Sequence, residues 1–226
     1  MDVEELYRRY AAGERDFSGV DLSRANLNVA DVTYVEDLEP GQNDLSGINL
    51  SGANLTKANL SLVNLSGANL SDAQLDWAKL AEADLSGANL NNANLFSAEL
   101  GGIDLSGADL SGANLDCTDS TGANLRGANL SGASIAEAIW EATDLSGANL
   151  SEANLTQSAL CNANLTGACL RDTNLEEPSL DGANLTNVDL SESFINLDMA
   201  NINRIRGAIL CNTTMPDGSI RNDHCQ

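Results

Sequence analysis

The chain has 226 residues with 33 acidic against 11 basic side chains, and its formal net charge of −22 argues for solubility and against unaided binding to nucleic acid or an anionic membrane. It is 42% hydrophobic but only 4% aromatic, so there is apolar surface for one sizeable core or a repeat array, and small side chains must fill it. Four of the basic residues, Arg8, Arg9, Arg15 and Arg24, fall at the start, which leaves the body more acidic still.

The opening MDVEELYRRY has no apolar run of the signal-peptide kind, and no stretch approaches the length of a membrane span. A cytoplasmic location is the expectation. Val3, Leu6, Tyr7 and Tyr10 recur at helical spacing, with Asp2 as an N-cap and Gly13 as a stop, so residues 1–14 are predicted to form a short helix. A repeat array has open ends, and this helix is expected to cap one. Phe17, Leu22, Leu27 and Val32 then begin a five-residue series over 15–35. YVEDLEPGQN separates Val32 from Leu45 by 13 residues, not a multiple of five, so 36–43 should bulge as a loop insertion.

From Leu45 to Leu190 every fifth residue is a centre, 30 in all, and 27 of them are leucine, which makes this period the dominant signal of the chain. The residue two before the centre is Ala in 20 cases and the residue one before is Asn or Asp in 22, so the unit is a motif and not a leucine spacing alone. Ser and Gly often follow, as in DLSGADLSGANL at 104–115. On an α-helix a five-residue step turns ~140° and scatters the leucines, while on a strand it alternates them between faces. A solenoid uses the period: each pentapeptide forms one side, Leu and Ala point inward, and four sides close a square coil. Residues 44–215 with the early coil give about nine or ten coils and a rod about 45 Å long at strand spacing.

At these residues the chain resembles the pentapeptide-repeat family, whose motif is A(D/N)LXX, over about 16–215. The resemblance implies an all-β fold, a right-handed quadrilateral β-helix with the centre and the residue two before it facing inward. The leucine-type centres and the C-terminal CNTTMPDGSI are most similar to cyanobacterial members. Their roles run through protein contacts, including regulation of heterocyst differentiation.

After Ile195 the register frays through NLDMANINRIRGAIL and resumes at TTM, and 216–226 read as a tail. Five cysteines, Cys117, Cys161, Cys169, Cys211 and Cys225, are odd in number and irregular in spacing, so free thiols are expected. The lone histidine, His224, sits beside Cys225 in what reads as a mobile tail, and no cofactor or metal is expected. Asp84 and Asp104, one coil apart, read as part of a solvated acidic ladder rather than a cation site. The outward Ser, Asp and Asn are products of the repeat with no histidine among them, so no catalytic site is expected.

Grouped by coil, the centres form four columns. The first, from Leu45 through Leu65 to Leu185, and the second, from Leu50 to Leu190, are unbroken, and the third departs from Leu only at Ile135 and Ile195. The fourth reads Leu60, Leu80, Leu100, Ser120, Trp140, Leu160, Leu180, a residue too small followed by one too large. Packing density favours an indole leaning into the core over the space left by Ser120; the other reading turns Trp140 outward as a binding anchor. The fourth side also carries Ile139 and Ala159 outward where Asn or Asp is usual, and Trp77 with Phe96 stands outward next to it.

The expected function is therefore a non-enzymatic interaction or scaffold protein. Its acidic rod would meet a protein partner through the irregular face, with Ile139, Ala159, Trp77 and Phe96 as candidate contacts and without direct binding to nucleic acid or membrane. The alternative, which charge supports, is a DNA-mimicking inhibitor of DNA gyrase, an activity of some members of the family. Those members have Phe at many centres and a C-terminal dimerisation module, whereas here Leu dominates and the C-terminus holds no apolar helix.

Overall fold

Each repeat brings five backbone N–H groups that need acceptors, and the motif supplies one for every position. The computed structural model describes residues 1–28, 43–195 and 205–225, and the repeat 69–73 shows the pattern. Asn69 N–H donates to the Ile48 carbonyl in the coil before (2.9 Å), and Leu70 N–H to the Asn89 carbonyl in the coil after (2.7 Å). Asp72 N–H reaches Asn91 O in the coil after (3.0 Å), and Ala73 N–H closes a turn on Leu70 O (3.1 Å). Ser71 N–H is taken by Asn69 Oδ1 of its own repeat (3.1 Å). That bond explains why Asn or Asp precedes the centre, since a short side-chain oxygen reaches the N–H two residues on as an Asx turn. Where Asp fills the place, as at Asp16, Asp21 and Asp189, the donated N–H of Ser18, Ser23 or Ser191 holds the carboxyl below its usual range.

These bonds tie residue i to residue i+20. Parallel bridges run Asn64, Asp84, Asp104, Asn124, Asp144, Asn164 and Asn184 up the first side, and Asn59, Lys79, Glu99, Asp119, Ile139, Ala159 and Ser179 up the fourth. The Leu centres and the Ala residues two before them are buried along the whole array. The early coil, with Phe17, Leu22 and Leu27 buried, joins the next at a spacing of 33, as in Asp16 with Asn49. Val32, and the expected loop over 36–43 apart from Asn43, lie outside the described residues. Past Ile195 most of the frayed stretch is also outside them; Ile209 and Thr214 pair with Asn184 and Asp189 at a spacing of 25, one repeat more than a coil.

The β structure consists of bridges rather than long strands. Each side holds one bridging residue between turns, because a residue with positive φ ends it, Gly47, Gly52 and Lys57 in successive repeats. The sides are therefore single bridges and not strands. Among the described residues, strands of two residues occur only near the C-terminus: β1 (Asn174–Leu175) pairs in parallel with β2 (Phe194–Ile195), and β3 (Thr213–Thr214) pairs antiparallel with β4 (Ile220–Arg221).

At the N-terminal end stands α1 (Val3–Ala11), whose first turn is capped by Asp2 accepting Glu5 N–H (2.8 Å). Leu6 and Tyr7 are buried, and burial pushes the Tyr7 phenol up. Tyr7 Oη donates to Leu27 O (2.7 Å) and Tyr10 Oη to Ser46 O (2.7 Å), which fixes the helix to the first coils. No described helix is long and apolar enough to cross a membrane.

At the other end the expectation of five free thiols fails, because Cys211 and Cys225 form a disulfide. The stretch read as a mobile tail folds back. Gly218 N–H bonds Met215 O (2.9 Å) and Met215 N–H bonds Ser219 O (2.8 Å), a reversal that sets β4 against β3. Leu210 N–H then donates to His224 Nδ1 (3.2 Å), and His224 N–H to Leu210 O (3.2 Å). A cysteine spacing of 14 has no meaning in a five-residue register; it follows from this reversal. Cys117, Cys161 and Cys169 remain thiols.

Two measurements check this account. Gly87 has φ +63° and a Cβ there would meet nothing within 4 Å, so Gly87→Ala isolates the backbone term. It should lower unfolding stability by about 1–2 kcal/mol in a denaturant titration. Reducing the disulfide, or Cys225→Ser, should weaken the C-terminal end by up to about 3 kcal/mol. Hydrogen exchange is expected to quicken over 205–225 while the centres from Leu45 to Leu165 keep their protection.

Candidate functional site

The register gives every outward residue an address: a side or corner, and a coil. On the first side the two residues after each centre are nearly invariant, Ser46–Gly47, Ser66–Gly67, Ser86–Gly87 and Ser106–Gly107. On the second side an amide ladder runs outside, with Asn69 Nδ2 donating to Asn49 Oδ1 (3.1 Å) and Asn149 Nδ2 to Asn129 Oδ1 (3.1 Å). Between residues 45 and 190 neither side carries an exposed large hydrophobic; Ile209, which bridges to Asn184, is one on the first side in the last coil.

The fourth side differs. Among the described residues from 45 to 190, the exposed large hydrophobics are Leu62 (50%), Trp77 (52%), Phe96 (36%) and Ile139 (47%), and all four lie on that side or at the two corners bounding it. Ile139 bridges to Ala159 in the next coil, and Ala159 is half-buried. Trp77 and Phe96, at the corner between the third and fourth sides, meet edge to face with ring centroids 5.9 Å apart. Leu62 was missed by sequence reasoning, although a signal existed: it stands two after a centre, where glycine is commonest, and holds a left-handed φ of 63°. Such a conformation costs a bulky side chain about 1–2 kcal/mol.

Trp140 and Ser120 are both fully buried. The indole N–H donates to Thr118 Oγ1 in the coil before (3.1 Å), and that hydroxyl donates in turn to Leu115 O (2.7 Å). Thr143 Oγ1 donates to Ser120 O (2.9 Å). Ser120 Oγ has no hydrogen-bond partner among the described residues. The ring thus leans toward the coil that lacks a leucine, and Thr118 stands where alanine is usual with its hydroxyl serving the buried indole N–H, while Thr143 donates to a backbone carbonyl.

Chemistry of other kinds finds little footing. Asp84 and Asp104 bridge through their backbones, but their Oδ1 atoms are engaged by Ser86 N–H (2.9 Å) and Ser106 N–H (2.8 Å). Among the described residues no three of His, Cys, Asp and Glu gather as a metal-holding group. Burial and the neighbouring Glu137 and Asp116 push the Cys117 thiol up, which opposes the thiolate that nucleophilic work requires.

A family model described as pentapeptide repeats matches in 8 copies, lying over residues 44–80, 73–112, 103–139, 128–167, 141–176 and 168–206 among others. Of solved structures, the chain is similar to HetL, a pentapeptide repeat protein involved in heterocyst differentiation regulation from the cyanobacterium Nostoc sp. strain PCC 7120, at 31% identity over 98% of this chain and 100% of that one, with a TM-score of 0.48. It is similar to Rfr23 from the cyanobacterium Cyanothece 51142 at 30% identity, covering 68% and 90%, with a TM-score of 0.34. QnrB1, a plasmid-mediated fluoroquinolone resistance protein, matches at 18% identity over 85% and 90%, with a TM-score of 0.46. Among curated proteins none matches.

The buried indole generates a stability prediction. Trp140→Ala should lower unfolding stability by about 3–5 kcal/mol through lost burial and a cavity. Thr118→Val, which leaves the indole N–H buried without its acceptor, should cost about 1–3 kcal/mol. The two changes combined should cost less than their sum in a double-mutant cycle, because once the indole is gone Thr118→Val removes only its bond to Leu115 O and leaves no orphaned indole N–H.

Proposed function

The chain belongs to the pentapeptide-repeat family, and on that premise we propose that it is a non-enzymatic interaction protein that binds a protein partner through its fourth side. The carrying observation is the confinement of the exposed large hydrophobics between residues 45 and 190, Leu62, Trp77, Phe96 and Ile139, to one side and its corners. Single exposed hydrophobics are unremarkable, as at Phe194 and Ile209 near the C-terminal end, but the gathering of four on one side of the regular array marks a contact surface. Trp77 and Phe96, large and held edge to face, suit the role of anchors. We take the winding as right-handed and the location as cytoplasmic, as the resemblance and the sequence lead us to expect.

A second reading rests on the net charge of −22, which an acidic rod could present to a DNA-binding surface such as that of DNA gyrase. Charge spread over all sides supports it, whereas the one-sided apolar set does not. A supercoiling assay separates the two: the partner reading expects gyrase activity to stay within about twofold at low salt, where such mimicry is strongest.

Ile139→Asp tests the leading reading. The side chain is half exposed and Asp can accept the Glu141 N–H as at other repeats, so folding stability should hold or rise by up to about 1 kcal/mol. Affinity capture from the source cell with wild type and variant, read by quantitative mass spectrometry, should lose a specific protein from the variant sample. Unfolding of the variant, or identical captured sets, would remove the face from consideration.

A further inference from the structure

The partner surface can be specified further on the reading just given. The repeat places the Trp77–Phe96 pair and the Ile139–Ala159 pair three coils apart, about 14 Å at strand spacing, with one coil between them. The residues between and beside the pairs are acidic: Glu99, Asp116, Asp119, Glu137 and Glu141, all exposed or half-buried. Around and below Trp77 the chain's two lysines, Lys57, exposed one coil under Trp77, and Lys79, 3.9 Å from Glu99, offset the neighbouring Asp76 and Glu82. The stretch of uncompensated acidic charge therefore begins beside Phe96 and runs toward Ala159.

We propose that this surface receives a basic amphipathic helix of a protein partner, laid along the rod with apolar side chains on the two pairs and Lys or Arg over the carboxylates between. The spacing fits a helix. Three helical turns span about 16 Å, within about 2 Å of this separation, and each anchor pair itself extends over two coils, so side chains eleven residues apart on one helix face reach both anchors. A basic partner also matches the charge of the whole rod, which speeds encounter at low salt and repels acidic competitors. The backbone beneath is bonded coil to coil, Ile139 N–H to Thr118 O (2.8 Å) and Trp77 N–H to Phe96 O (2.9 Å), so the anchors are set in place before the partner arrives.

Three synthetic peptides of about 18 residues, ~27 Å of helix, test the inference. All are amidated: one of Leu and Lys with Leu at helical spacing, one of identical composition with Leu and Lys alternating, and one with Glu replacing Lys in the first. The chain has two tryptophans, and because Trp140 is buried, an emission change on peptide binding reports the exposed Trp77; Trp77→Phe is the control in which that change should vanish. Titration of the otherwise wild-type chain with the first peptide should shift Trp77 emission to the blue in a saturable way. The alternating and Glu peptides should bind at least about tenfold more weakly. Ile139→Asp in the same background should weaken the first peptide about tenfold or more, while Asp189→Asn on the second side leaves it unchanged.

Equal binding of the alternating peptide overturns the helical geometry, and equal loss with Asp189→Asn reduces the effect to bulk charge; either result sinks the proposal. So does binding of none of the peptides. If in that last case Ile139→Asp still removes a captured protein, the interaction face stands and only its helical, basic occupant is withdrawn. If capture is also insensitive to Ile139, both readings fall together.

Discussion

The structure depends on the hydrogen bonds that hold one coil to the next. With Leu70 N–H bonded to Asn89 O at 2.7 Å, and its equivalents repeated on every side, coils cannot separate beyond strand spacing. Each level of the interior then has room for four centres and four small residues, and the sequence obeys with Leu and Ala. The low aromatic content goes with this filling, and an indole, the largest side chain, needs more room than a leucine leaves at its level. Ser120 and Trp140 are a compensated pair, buried in successive coils of one column.

The outward positions are constrained less by packing than by the N–H after the centre. Asn or Asp accepts it on the first two sides almost without exception, and a hydrogen bond of that kind contributes about 1 kcal/mol. On the fourth side Ile139 and Ala159 have no side-chain oxygen to offer to the N–H of Glu141 and Cys161. Lys79 likewise cannot serve Ala81. Three such departures fall in one column, and each forgoes the turn hydrogen bond that most repeats on the first two sides keep. Local rules broken together in one place are what a binding surface leaves in a sequence.

The square coil, its register and the helix at the start were legible because each follows from a period or a cap. Leu70 is buried for the same reason that it is fifth after Leu65, and Asp2 accepts Glu5 N–H because it precedes an amphipathic turn. What escaped the reading obeys no period. The Cys211–Cys225 disulfide arises from a reversal after Met215, where the repeat has ended and spacing no longer implies position. The single-bridge sides follow from turn geometry at every fifth residue, which composition suggests but does not count. For the candidate site, addresses on the rod could be read from the register, whereas the edge-to-face contact of Trp77 with Phe96 and the Thr118 hydroxyl beneath Trp140 depend on side-chain torsions that no spacing specifies.

The core irregularity and the surface irregularity occupy the same column and adjacent residues, Ile139 outward and Trp140 inward. That coincidence has a physical use. The backbone ladder is unbroken through the substitution, with Ser120 N–H to Ile139 O at 2.8 Å and Trp140 N–H to Ala159 O at 2.7 Å. The indole adds a buried side-chain bond to Thr118, one that a leucine at the centre would not make. The segment that presents Ile139 is thereby fastened from inside as well as along the ladder. An apolar anchor on a fastened segment has less conformational freedom to lose on association, so more of its burial appears as affinity. Replacing Trp140 by leucine would keep the core apolar while removing that fastening, and would loosen the anchor without touching the surface itself.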